Sequence, residues 1–161
     1  MARRIAKFFC LSFADQRLLM LAALSVVGAK LAVRTMSLPA ARAAAARLQC
    51  LGWIVALARA DRVVWAVETT GRAIPGMKNC LVQAVAAEAI LTRMRHPCEL
   101  RIGAAKKGPG ELIAHAWLES EGKVLIGAFA LDRYAPLVTR HLQDGALSSA
   151  PDQASSNSII R

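Results

Sequence analysis

The chain changes its hydrophobic period once, and the change falls at Pro97. Upstream, apolar residues recur at helical spacing in an Ala- and Leu-rich background. Downstream, Glu99-Leu100-Arg101-Ile102-Gly103 alternates, Lys106 to Gly110 has the composition of a turn, and Leu112 to Glu119 alternates again. Ser120-Glu121-Gly122-Lys123 then has the form of a hairpin turn leading into Val124-Leu125-Ile126-Gly127. Helices followed by a short antiparallel sheet define an α+β chain. Its 161 residues suffice for one buried core, and a composition 55% hydrophobic but only 5% aromatic favours helices over an all-β sandwich.

Among the helices, Ser12 is placed to cap a first one running to about Thr35, with Asp15 in its first turn. Pro39 interrupts the pattern and Ala40 to Ala58 resumes it. A third helix is expected over Asp61 to Thr69, then a loop through Gly71 and Pro75-Gly76, then a helix from Cys80 to Arg95 with Leu81, Val85 and Ala89 as its buried stripe. Beyond Pro136 the pattern fades: Leu137 to Leu142 fits a helical continuation, and the polar end fits a flexible tail. The expected organisation is a basic helical segment over 1–60, a core over 61–145 and a tail over 146–161.

A net charge of +10 and a pI near 10.4 call for an acidic partner. Nucleic acid is disfavoured, because the cations are scattered and there are few aromatics to stack on bases. Asp15 is the only acid before residue 60, so an acidic partner would meet that half first. Leu18 to Ala29 lacks charge but is far shorter than the roughly 20 residues a spanning helix needs. A buried helix is therefore expected and no transmembrane span, with an interfacial membrane contact left open. The basic start followed by Phe8 to Ala14 imitates a signal peptide, at the lower limit of length. Cys10, Cys50, Cys80 and Cys98 contain no CxxC pair and no histidines at zinc-ligand spacing. No metal or other cofactor is expected; Cys10, Cys50 and Cys98 fit free buried thiols, and the chain is read as cytoplasmic with its thiols reduced.

Cys80 follows Pro75-Gly76-Met77-Lys78-Asn79 at a helix start, where unpaired amides and the helix dipole favour a thiolate. Its own N–H is placed to face a developing oxyanion. His115, in Ala114-His115-Ala116-Trp117, lies on a strand and shares its face with Trp117 and Glu119. Thiol and imidazole so borne are the parts of a nucleophile and its base, while a core histidine packed beside Trp117 is an equal reading. His96 and His141 have ordinary structural places.

Three stretches together, Ile74 to Ala84, Leu100 to Gly103 and Gly110 to Glu119, resemble the transglutaminase-like B proteins of lasso-peptide biosynthesis, over roughly residues 60 to 137. The resemblance implies a papain-like, transglutaminase-like cysteine peptidase core that removes the leader of a ribosomally made precursor peptide. A separate asparagine-synthetase-like, ATP-dependent cyclase then closes the macrolactam. It also implies a separate leader-recognition protein, since a winged-helix module of roughly eighty residues has no room beside the peptidase. Cys80 takes the role of nucleophile and His115 that of general base. The family's acid is expected on the strand after the histidine, yet the residue opposite His115 falls near Gly127 and Ala128, where no carboxylate stands. Asp132 is the downstream candidate, a dyad oriented by a backbone carbonyl or an amide is the alternative, and Asn79 and Gln83 are candidates to orient a partner or serve the oxyanion. Trp117 is the candidate lining of the substrate cleft.

Overall fold

The computed structural model describes residues 9–48, 59–77, 79–108 and 111–137. Four helices, α1 (Phe13–Thr35), α2 (Leu38–Leu48), α3 (Ala60–Ala73) and α4 (Cys80–Arg93), precede strands β1 (Glu99–Gly108), β2 (Glu111–Ser120), β3 (Lys123–Ile126) and β4 (Ala135–Leu137). The expected α+β order is the observed one.

The helix starts follow local chemistry. Ser12 accepts the amide of Asp15 through its hydroxyl, 3.2 Å, and Asp15 sits in the positive first turn of α1. Pro39 does not separate two helices but lies in the first turn of α2, where its missing N–H costs nothing. The expected resumption from Ala40 reaches Leu48, and its remainder lies outside the described residues, as do Cys50 and everything after Leu137. Helix α3 runs four residues past its expected end, and Gly71 lies buried inside it. A side chain at Gly71 would collide with the Gln83 amide, so this glycine serves close helix packing rather than a turn.

Helix α1 packs on α2, α3 and α4, and α4 packs on β2. Leu18, Leu21, Val26 and Ala29 of α1 share one buried cluster with Val67 of α3, Val85 and Leu91 of α4, and Leu100 and Leu118 of the sheet. The helices before residue 60 thus belong to the same core as the sheet. Arg42 of α2 ties to the buried Glu88 of α4 through two charge-assisted bonds, one at 2.8 Å, and Asp15 of α1 pairs with Arg62 of α3. Unlike the short apolar stretch seen in sequence, α1 continues through Arg17 and Lys30. By length and composition it is long and apolar enough to cross a membrane, with 39% of its most apolar window buried within the protein.

The sheet is antiparallel in the order β3-β2-β1-β4. Leu137 does not open a helix; it ends β4, whose Pro136 lies opposite Gly103 on β1. Because β3 and β4 occupy opposite edges, residues 127–134 must cross the sheet between them. The pleat decides which face they cross. Ala116, Leu118 and Ser120 are buried, the first two in the core with α4, whereas His115, Trp117 and Glu119 point to the other face. Tyr134, at the end of the crossing segment, lies against His115 with ring centroids 5.0 Å apart.

Candidate active site

Asn79 and Cys80 open α4. The Asn79 carboxamide oxygen accepts the amides of Leu81 at 2.9 Å and Val82 at 3.4 Å, and its backbone carbonyl accepts that of Gln83 at 3.0 Å. The N–H of Cys80 is the first-turn amide that Asn79 does not take. Asn79 is therefore the cap that shapes the helix mouth around the half-buried Cys80 thiol. The loop before it is held from two sides. Gly76, at a φ of 74°, offers its carbonyl to the Lys30 ammonium at 2.7 Å, and the Gln83 amide donates to the Met77 carbonyl at 3.4 Å. Sequence patterning gives no sign of Lys30, which lies 46 residues from its partner.

On β2, His115 is half-buried between two rings, Trp117 at 6.2 Å and Tyr134 at 5.0 Å between centroids. Its Nε2 lies 2.8 Å from the Gly127 carbonyl oxygen. A carbonyl can only accept, so the proton of this bond sits on Nε2, and Nδ1 is the nitrogen left to gain or lose one. The place beside His115, which strand counting leaves without a carboxylate, is thus filled by backbone. Gly127 has a φ of 82°, and a Cβ there would stand 2.8 Å from the Ala116 carbonyl oxygen, so the close approach requires glycine.

The remaining candidates divide. Trp117 is 5% exposed, its ring lies against Gly103, and its indole N–H donates to Glu119 at 2.7 Å, so it props the imidazole rather than lining an open cleft. Asp132 is exposed on a 3-10 turn, Leu131–Arg133, within the crossing segment, and no hydrogen bond or ion pair joins it to His115. Nor does a hydrogen bond join the Cys80 thiol to the imidazole. The pleat turns His115 toward Trp117 and away from the face that packs on α4. Tyr134 and the Gly127 carbonyl are the contacts of His115 that residue types alone do not reveal.

The other described thiols, Cys10 and Cys98, differ from Cys80 in their surroundings. Cys10 is exposed rather than buried, and burial pushes the half-buried Cys98 thiol up, against a weaker opposing bond from Thr92. Neither heads a helix. An apolar cleft of about 670 Å³ opens between α1 and α3, lined in part by Leu19, Met20, Trp65, Thr69 and Ile74, and neither Cys80 nor His115 lines it. Among the described residues no group of three or more His, Cys, Asp or Glu side chains is placed to hold a metal ion.

A cysteine at the mouth of a helix packed on an antiparallel sheet that bears a histidine is the equipment of a thiol-enzyme scaffold. The family model described as the transglutaminase-like superfamily matches residues 17–139, and the chain belongs to that superfamily. The match begins within α1, in keeping with the shared core. Neither the curated proteins nor the solved structures compared with the chain gave a match.

Proposed function

We propose that this chain is a cysteine peptidase that cuts the leader from a ribosomally made lasso-peptide precursor, working with a separate leader-recognition protein and ahead of an asparagine-synthetase-like cyclase. The superfamily supports a thiol peptidase or acyltransferase, and the ordered motifs around Cys80 and His115 favour the leader peptidase. The single observation that carries the chemistry is the bond from His115 Nε2–H to the Gly127 carbonyl, which leaves Nδ1 as a base without any carboxylate.

The proposed cycle requires the mouth of α4 and the imidazole, unjoined as described, to come together on binding precursor. Nδ1 then takes the Cys80 proton and the thiolate attacks the scissile carbonyl, whose oxyanion the free Cys80 N–H can receive. Nδ1 returns the proton to the departing amine, leaving a thioester on Cys80. Water then releases the carboxylic acid and the thiol. Asp132 is the orienting acid of the alternative triad, in which Asp132→Asn should lower cleavage; unchanged cleavage by that variant leaves the dyad.

Incubating the protein with precursor and recognition protein, and weighing the products, tests the proposal. Separate leader and core masses are expected, and none with Cys80→Ala at unchanged fold. A cross-linked adduct would assign acyl transfer instead. A second reading, a scaffold that delivers precursor to the cyclase, is favoured by the unjoined thiol and imidazole. It requires precursor binding without cleavage and without rapid alkylation of Cys80 near neutral pH.

A further inference from the structure

The catalytic proposal makes no use of the outer face of α1. Phe13, Met20, Leu24, Val27 and Leu31 are all exposed, Phe13 at 67% and Met20 at 66%. Their spacing of seven, four, three and four residues puts them on one line, about 27 Å long at the helical rise. The opposite side of the same helix buries Leu18, Leu21, Val26 and Ala29 in the core, so α1 is fixed to the protein while its apolar outer line faces solvent. Monomeric proteins rarely leave such a continuous patch uncovered. The apolar surface also continues inward, since Met20 lines the cleft beside Trp65.

Charge selects the occupant. Arg34 stands at one end of this line and Arg17 one turn inside the other, its guanidinium over the Phe13 ring at 4.1 Å. The exposed residues of α1 include no acid, and Asp15 is turned toward Arg62. A second copy with its apolar stretch in register would set arginine against arginine, whether parallel or antiparallel. An anionic surface would instead take both guanidiniums while the line between them enters its apolar layer. We propose that α1 docks in the plane of an anionic lipid bilayer through Phe13, Met20, Leu24, Val27 and Leu31, with Arg17 and Arg34 on the headgroups. The residues it buries in the core keep it from spanning.

Flotation of the full-length protein with phosphatidylcholine vesicles, with and without phosphatidylglycerol, tests this. Wild type should float with the anionic vesicles, less with the neutral ones, and less again in high salt. Replacing both Arg17→Gln and Arg34→Gln should weaken anionic binding about thirty-fold, from roughly five-fold per basic residue at such a surface. Leu24→Asp with Leu31→Asp, both at exposed sites, should abolish flotation while leaving the circular dichroism unchanged. Wild type that stays in solution, or an aspartate variant that floats as well as wild type, overturns the proposal. So does a lipid-independent dimer lost in the aspartate variant without any vesicle binding, which would assign the face to a second copy.

Discussion

At His115 a backbone carbonyl stands where an acid is usually sought. Its usefulness lies in geometry: the Gly127 oxygen fixes one tautomer without adding a buried negative charge. Gly127→Ala tests this directly. The positive φ and the 2.8 Å approach to the Ala116 oxygen should together cost about 2 kcal/mol in denaturant unfolding. Nitrogen-15 spectra of labelled His115 should show the Nε2–H tautomer in wild type and a mixture in the variant. A variant with an unchanged tautomer would remove the orienting role from the carbonyl. The empty carboxylate position was legible in the sequence, because hairpin counting brings Gly127 near His115. What filled it was not, since a backbone oxygen carries no residue-type signature. The same limit hid Tyr134 and the carbonyl of Gly76 that Lys30 holds.

Between elements, the pattern was readable wherever local forces decide. The Ser12 cap, the start of α4 at Cys80 and the β1–β2 alternation are all written in neighbouring residues. Helix α4, by contrast, is buried almost all round from Val82 to Leu91 instead of along the expected stripe of Leu81, Val85 and Ala89, and Leu81 is only half-buried. The pattern was unreadable where distant pairing decides. Ala135-Pro136-Leu137 becomes a strand only because β1 offers it an edge, and Gly71 stays helical because Gln83 needs its empty side. The α2–α4 contact is another such long-range choice, resting on Arg42 and the Glu88 carboxylate, whose side chains are 39% and 10% exposed. Arg42→Met would leave that carboxylate buried and unpaired, at a cost of about 2 kcal/mol, the lower side of the usual range because Arg42 is partly in water. Replacing both residues with leucine should recover most of the loss. Urea unfolding of Arg42→Met and of the double variant measures the difference, and a double variant no better than Arg42→Met would show that the pair contributes more than mutual neutralisation.

At the scale of the molecule, two consequences follow from the single core. The first is a pH dependence at the α1–α3 contact. The Arg62 bond, helped by Ser12, holds the Asp15 carboxyl below its ordinary value. A lowered folded value means stability that is complete above the unfolded pKa of about 3.9 and is lost as pH falls through the folded one. Acid unfolding should therefore steepen below about pH 4, and Asp15→Asn should flatten that portion of the curve. The second concerns where the chain can be divided. Composition suggests a boundary near residue 60, because the basic, Ala-rich helices look unlike the mixed stretch that follows. Packing gives that boundary no physical break: Leu18, Leu21, Ala22 and Val26 cover Val63, Val67 and Val85, so removing α1 would expose the inner sides of α3 and α4 together. Lys30 would leave with it, and the loop before Cys80 would lose its tether. A fragment beginning at Arg59 should accordingly show no cooperative thermal transition and poorly dispersed amide resonances, where the full chain should show both a transition and dispersion. A fragment that melts cooperatively would mean that the sheet and α4 hold a sufficient core by themselves, and that α1 is an addition to a self-sufficient domain rather than one of its walls.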